Sequence, residues 1–79
     1  MKLPRDKSGR DLAHSLSKYW SYRFVHQTGS HMILETEDPT HQRIAIPDHT
    51  TIRIGTLNSI IRSVALHKNV SKDAIINTL

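Results

Sequence analysis

Two turn signals cut the middle of this chain into three segments too short for anything but strands. Gly29-Ser30 separates a segment of about 22–28 from one of about 31–37. Asp38-Pro39-Thr40 then separates the second from Arg43-Ile44-Ala45-Ile46, which Pro47-Asp48 stops. Glycine supplies the left-handed backbone that a tight hairpin wants, and Asp-Pro marks a reversal. Strands joined by successive hairpins pair antiparallel. Side chains alternate along each strand, so Ile44 and Ile46 share one face, and Arg43 and Ala45 the other. In the second strand His31 and Ile33 lie opposite Met32 and Leu34. Both faces carry apolar residues, so alternation alone leaves the side of His31 open. A three-stranded sheet with its helices on one face leaves the other to solvent, and we place His31 there.

Helix signals flank these strands. Ser8 followed by Asp11 is a capping-box spacing, and Leu12, Leu16, Tyr19 and Trp20 form a stripe along a helix of about 9–20. His14, Ser15 and Lys18 fall off that stripe. Tyr19, Trp20, Tyr22 and Phe24 read as core rather than as base-stacking platforms. Thr56 is a candidate cap for a second helix to about Leu66, with Leu57, Ile60, Ile61 and Val64 as its buried stripe. His67-Lys68-Asn69 makes the basic, polar ending that suits a helix C-terminus. Ser71 can cap a short last helix in which Ala74, Ile75 and Leu79 pack. The expected fold is α+β in two layers, with helices on one face of a three-stranded antiparallel sheet. The order α-β-β-β-α with a short C-terminal helix is that of double-stranded-RNA-binding domains. Residues 1–79 are expected to form a single domain.

Composition narrows the chemistry. The formal net charge of +4 favours an anionic partner, and the absence of cysteine removes disulfides, thiolate metal sites and cysteine nucleophiles. Met1-Lys2-Leu3-Pro4-Arg5-Asp6-Lys7 carries no apolar stretch fit for a signal peptide, and no run approaches a membrane span. A cytoplasmic protein without membrane association is the expectation.

Several short motifs then line up in order. They are Lys2-Leu3-Pro4-Arg5, Ser8-Gly9-Arg10-Asp11-Leu12, Gly29-Ser30-His31, Ile46-Pro47-Asp48-His49, and Ile54-Gly55-Thr56-Leu57 running into Ile60-Ile61-Arg62. With these the chain resembles the HicA (YcfA-like) toxins of toxin–antitoxin systems over roughly residues 2–66. The resemblance implies an mRNA-cleaving toxin whose glycine-serine-histidine histidine, here His31, is needed for activity. It also implies a HicB antitoxin that masks this residue, with any operator DNA recognised through the antitoxin rather than directly. The chain departs from the family pattern near the site. His26 stands where arginine is often found, Thr28 where lysine is common, and Asn58 where arginine is frequent.

RNA brings its own nucleophile, the 2′-hydroxyl beside the scissile phosphate, so one well-placed imidazole can start the reaction without a metal. His31 is therefore the expected catalytic residue, with no cofactor. Ser30 is a candidate to orient the imidazole or the phosphate, although serine after glycine is also ordinary turn chemistry. Lys2, Arg5, Lys7 and Arg10 crowd the start of the first helix and are the expected grip on the RNA backbone. Arg23 and Arg43 lie on strands that could flank the site. His26, five residues from His31 across the turn, is placed either to share acid and base work or to stand as a surface strand residue. His49 belongs to a turn motif, His41 to a loop, and His14 and His67 to solvated helix positions. No His-x-His or His-x-x-x-His pair is present, so no metal site is expected. Two other readings remain beside the enzyme: a noncatalytic RNA-binding module, and a decayed toxin that only engages its antitoxin.

Overall fold

The computed structural model describes residues 3–79. Ser8 starts α1 (Gly9–Tyr19) with a reciprocal cap. Its hydroxyl accepts from the Asp11 N–H at 3.0 Å, and the Asp11 carboxylate accepts from the Ser8 N–H at 3.2 Å. Three strands follow, β1 (Arg23–Thr28), β2 (His31–Thr36) and β3 (Gln42–Pro47), then α2 (Ile54–Lys68) and α3 (Lys72–Ile76). The sheet has the order β1-β2-β3 and is antiparallel throughout. This is the expected α+β arrangement with its short terminal helix. Among the described residues no helix is long and apolar enough to cross a membrane.

Register settles the faces. Leu34 stands between Phe24 and Ile44, and Met32 between Gln27 and Ile46. Met32, Leu34 and Ile46 are buried against Leu12 and Leu16 of α1, Leu57, Ile61 and Val64 of α2, and Ile75 of α3. His31, Ile33 and Glu35 therefore point the other way, to the face that no helix covers. Between Phe24 and His26 the β1–β2 register slips by one, so Val25 is an extra residue in β1.

Three local expectations are corrected. The second helix begins at Ile54 rather than Thr56, because Arg53 in extended conformation caps it through its backbone carbonyl, which accepts from the Leu57 N–H at 2.9 Å. It also runs past Leu66 to Lys68, ending at Asn69 in the left-handed region with φ 58°. Tyr19 and Phe24 are not core: they are 53% and 55% exposed. Phe24 lies on the helix side of the sheet but in an edge strand whose six residues are all exposed. Tyr19, in the last turn of α1, packs instead beneath the Lys18 ammonium, 5.3 Å from its ring centroid. Tyr22 is buried as expected, and Trp20 is half-buried with its Nε1–H donating to Thr78 Oγ1 at 3.0 Å. Ser15, taken as off the stripe, is buried, since it sits one turn from Leu12 on the same side of α1.

Candidate active site at the hairpin tip

A two-residue loop joins β1 to β2, and only its first position needs an unusual backbone. Gly29 has φ 58°, and Ser30 has a negative φ, the pattern of a type II′ hairpin turn. Open space surrounds Gly29, so backbone conformation rather than crowding is what calls for glycine there. His31 follows as the first residue of β2, between Thr28 and Pro47 in the register. Its side chain is exposed on the open face, as placed from the sequence, and its ring makes no hydrogen bond with any described residue.

The tip is braced from behind. The Ser30 carbonyl accepts from the Asp48 N–H at 2.7 Å, extending the β2–β3 ladder one step past Pro47. Gln27 Nε2 donates to Asp48 Oδ2 at 3.0 Å and to the Gly29 carbonyl at 3.4 Å. Arg10 closes the strap with Nε to Asp48 Oδ1 at 3.1 Å and Nη2 to Oδ2 at 3.3 Å, a two-pronged fit of guanidinium to carboxylate. The Arg10 guanidinium, and after it the Gln27 amide, hold the Asp48 carboxyl below its ordinary range. Gly9 completes the joint: its N–H donates to the His49 carbonyl at 2.9 Å. A Cβ on Gly9 would lie 1.9 Å from the Pro47 carbonyl oxygen, so the start of α1 meets the end of β3 at a distance only glycine permits.

The basic candidates separate in space. Arg10 belongs to the strap, on the helix side of the sheet with Gln27. Arg5 is exposed and makes no ion pair or hydrogen bond with the described residues. Lys7 is half-buried; its carbonyl accepts from the Ile52 N–H at 2.9 Å, which lays the N-terminal segment along the approach to α2. Lys2 lies outside the described residues. Arg23 and Arg43 share the open face with His31 but stand level with Glu35, four residues along β2, or ~13 Å away at ~3.3 Å per residue. Both are committed there: Arg23 Nη2 to Glu35 Oε1 at 3.1 Å, and Arg43 Nε to Glu35 Oε2 at 2.7 Å. Arg23 also reaches Glu37 at 3.3 Å, and His41 Nδ1 lies 2.9 Å from the same carboxylate. Together these hold the Glu37 carboxyl low, His41 foremost.

Donor atoms of Glu35, Glu37 and His41 fall within 4.8 Å of one another, the spacing of a possible cation site. Arginine guanidinium groups already lie against both oxygens of Glu35. Of the other histidines, His67 is less solvated than expected, with Nε2 2.8 Å from the Thr40 carbonyl oxygen. A groove of about 280 Å³ between β3 and α2 is lined by Arg43, Ile44, Ala45, Ser59, Ile60 and Ser63, near Glu35 rather than His31.

Sequence reasoning missed Asp48 and Gln27 as the brace and took Asp48 for a turn former. Gln27 carried a faint signal: a long amide two residues before a hairpin glycine can reach back to the turn carbonyl. The bond between Arg10 and Asp48 spans 38 positions and left no local trace.

A family model described as HicA toxin of bacterial toxin–antitoxin matches residues 9–66. No curated protein and no solved structure matches the chain.

Proposed function

The chain belongs to the HicA toxin family of bacterial toxin–antitoxin systems, and on that premise we propose that it is a metal-independent endoribonuclease that cleaves mRNA in the cytoplasm. His31 moves the proton, and a HicB-type antitoxin neutralises the enzyme by covering it. One observation carries this reading: an exposed imidazole with no hydrogen bond to a described residue, standing at the open end of a turn that Gln27, Asp48 and Arg10 brace. A general base must be free to meet its substrate yet fixed in place, and that arrangement supplies both conditions.

In the proposed reaction His31 draws the proton from the 2′-hydroxyl as its oxygen attacks the adjacent phosphorus. No bound metal is required, because the nucleophile is already held next to the phosphate by the ribose. Ser30 is within one residue of the base and can donate its hydroxyl to a phosphate oxygen. Arg5 and Lys7, with Lys2, supply positive charge for the RNA backbone, while Arg10 contributes chiefly through Asp48. Arg23 and Arg43 would meet RNA only some nucleotides away from the scissile bond. DNA is not an expected ligand of this chain.

The test is an RNA digestion with purified protein in EDTA, comparing the unaltered chain with His31→Ala. Cleavage by the unaltered chain alone is the expected result, with a loss of about 10²–10⁴-fold in the variant. Equal cleavage by both overturns the role of His31. Absence of cleavage by either turns the reading to an RNA-binding module, or to a decayed toxin if the antitoxin still binds tightly.

A further inference from the structure

His26 reaches the open face of the sheet only because β1 carries one extra residue. Phe24 pairs with Leu34, and the next rung joins Ile33 to His26, not to Val25. Leu34 is on the helix-covered face, so strict alternation from Phe24 would send His26 to that same covered face. The bulge at Val25 reverses the phase, and bulges re-aim side chains in this way. Gln27 is turned by the same step toward the helix side, where its amide is found on Asp48. That bond is an independent sign that the phase has changed.

His26 and His31 are thereby diagonal neighbours on one surface. His31 pairs with Thr28 and His26 with Ile33. Positions so related are ~7–8 Å apart, with their Cβ atoms somewhat closer. Both rings are exposed, and neither makes a hydrogen bond with a described residue. The neighbouring positions on this face are Thr28, Ile33, Ala45 and Pro47, none of which titrates near neutrality. The nearest charges on the face, Arg23, Glu35 and Arg43, lie beyond Ile33 and are paired among themselves.

Cleavage of RNA through its 2′-hydroxyl needs two proton movements on opposite sides of phosphorus. Attack and departure are in line, so the groups serving the two oxygens stand on opposite sides of the phosphate, ~9 Å apart along the axis and closer when their hydrogen bonds bend from it. Resting on the ribonuclease reading above, we propose that His26 is the general acid that protonates the departing 5′-oxygen. The 2′-oxygen forms its bond to phosphorus as His31 takes its proton. The bond from phosphorus to the 5′-oxygen breaks as the imidazolium of His26 gives its proton to that oxygen. The products are a 2′,3′-cyclic phosphate and a 5′-hydroxyl, with no oxidation or reduction, and exchange with solvent returns both rings to their starting states.

The experiment uses two RNA oligonucleotides that differ at one atom, the bridging 5′-oxygen at the cleaved linkage being replaced by sulfur in the second. A thiolate leaves without a proton, so the sulfur substrate has no need of an acid. His26→Ala should lose about 10²–10⁴-fold on the oxygen substrate and regain most of that on the sulfur substrate. His31→Ala should lose on both. Both residues are exposed, so unchanged melting temperatures are expected for the variants and keep folding out of the comparison. An unaltered rate for His26→Ala on the oxygen substrate, or an equal loss on both substrates, overturns the proposal while leaving the ribonuclease reading intact. Failure of the unaltered chain to cut either substrate overturns both together.

Discussion

The two ends of the sheet are built from similar parts and finished differently. At the end around Glu35, a carboxylate takes Arg23 on one oxygen and Arg43 on the other, and Glu37 takes His41. Both guanidinium groups there meet a carboxylate. At the hairpin tip, Asp48 likewise takes Arg10 and Gln27, but the His31 imidazole makes no hydrogen bond with a described residue. One end spends its polar groups on each other; the other uses them as scaffolding for a group that faces outward. A cluster of charges is thus a poor pointer to function by itself. What distinguishes the tip is an exposed imidazole that makes no hydrogen bond with a described residue and lies open to a ligand.

That contrast can be broken at several points. The largest expected effect comes from Gly9→Ala, which drives a Cβ into the Pro47 carbonyl, backbone against backbone. We expect a loss of about 1–3 kcal/mol, read as a drop in melting temperature, together with reduced cleavage because the strap is anchored there. An unchanged melting temperature would show that the joint between α1 and β3 has slack.

Glu35→Gln should act at the other end, removing the charge between two guanidinium groups that are themselves 56% exposed. The expected cost is about 1 kcal/mol, with cleavage by His31 little altered. If this variant lost cleavage while keeping its stability, the two ends would not be separate, and RNA would have to run along the whole face.

Acid denaturation gives the smallest and finest distinction. Asp48, Asp11 and Glu37 all have carboxyls held low, by Arg10, by the Ser8 cap and by His41 respectively. The stability they confer is present above their ordinary values of 3.8, 3.8 and 4.5, and is lost as pH falls through their lower folded values. The melting temperature should therefore fall on acidification below about pH 4. Asp48→Asn should remove the part belonging to the tip and leave the rest. A melting curve of Asp48→Asn with the same acid slope as the unaltered chain would mean that Arg10 does not hold the carboxylate in solution.

Most of the framework was legible because its signals are local. Ser8 with Asp11, Gly29 with Ser30, and Ser71 before Ala74 each act through hydrogen bonds or backbone angles within a few residues. The open-face position of His31 followed from counting alternate residues. The start of α2 was misplaced because a backbone carbonyl does the capping and Arg53 advertises nothing. Tyr19 and Phe24 were misread because spacing tells which residues share a side, not whether another element arrives to cover them. Arg10 was read from its neighbours as a phosphate grip, and its bond to Asp48, a residue distant in the chain, left no mark in the sequence. The bulge was wholly hidden, since Val25 is an ordinary strand residue and no glycine marks the slip. The face that His26 occupies therefore could not be assigned by alternation.

The extra residue in β1 has a further result for the fate of the molecule outside any complex. β1 is an outer strand with all six residues exposed, and a free strand of that kind is a template on which stray chains add and aggregate. A newcomer would have to match an edge whose spacing jumps at Val25 and whose first residue is an arginine. Growth by strand addition is checked at that step. An edge that resists extension in this way works against aggregation of the free chain.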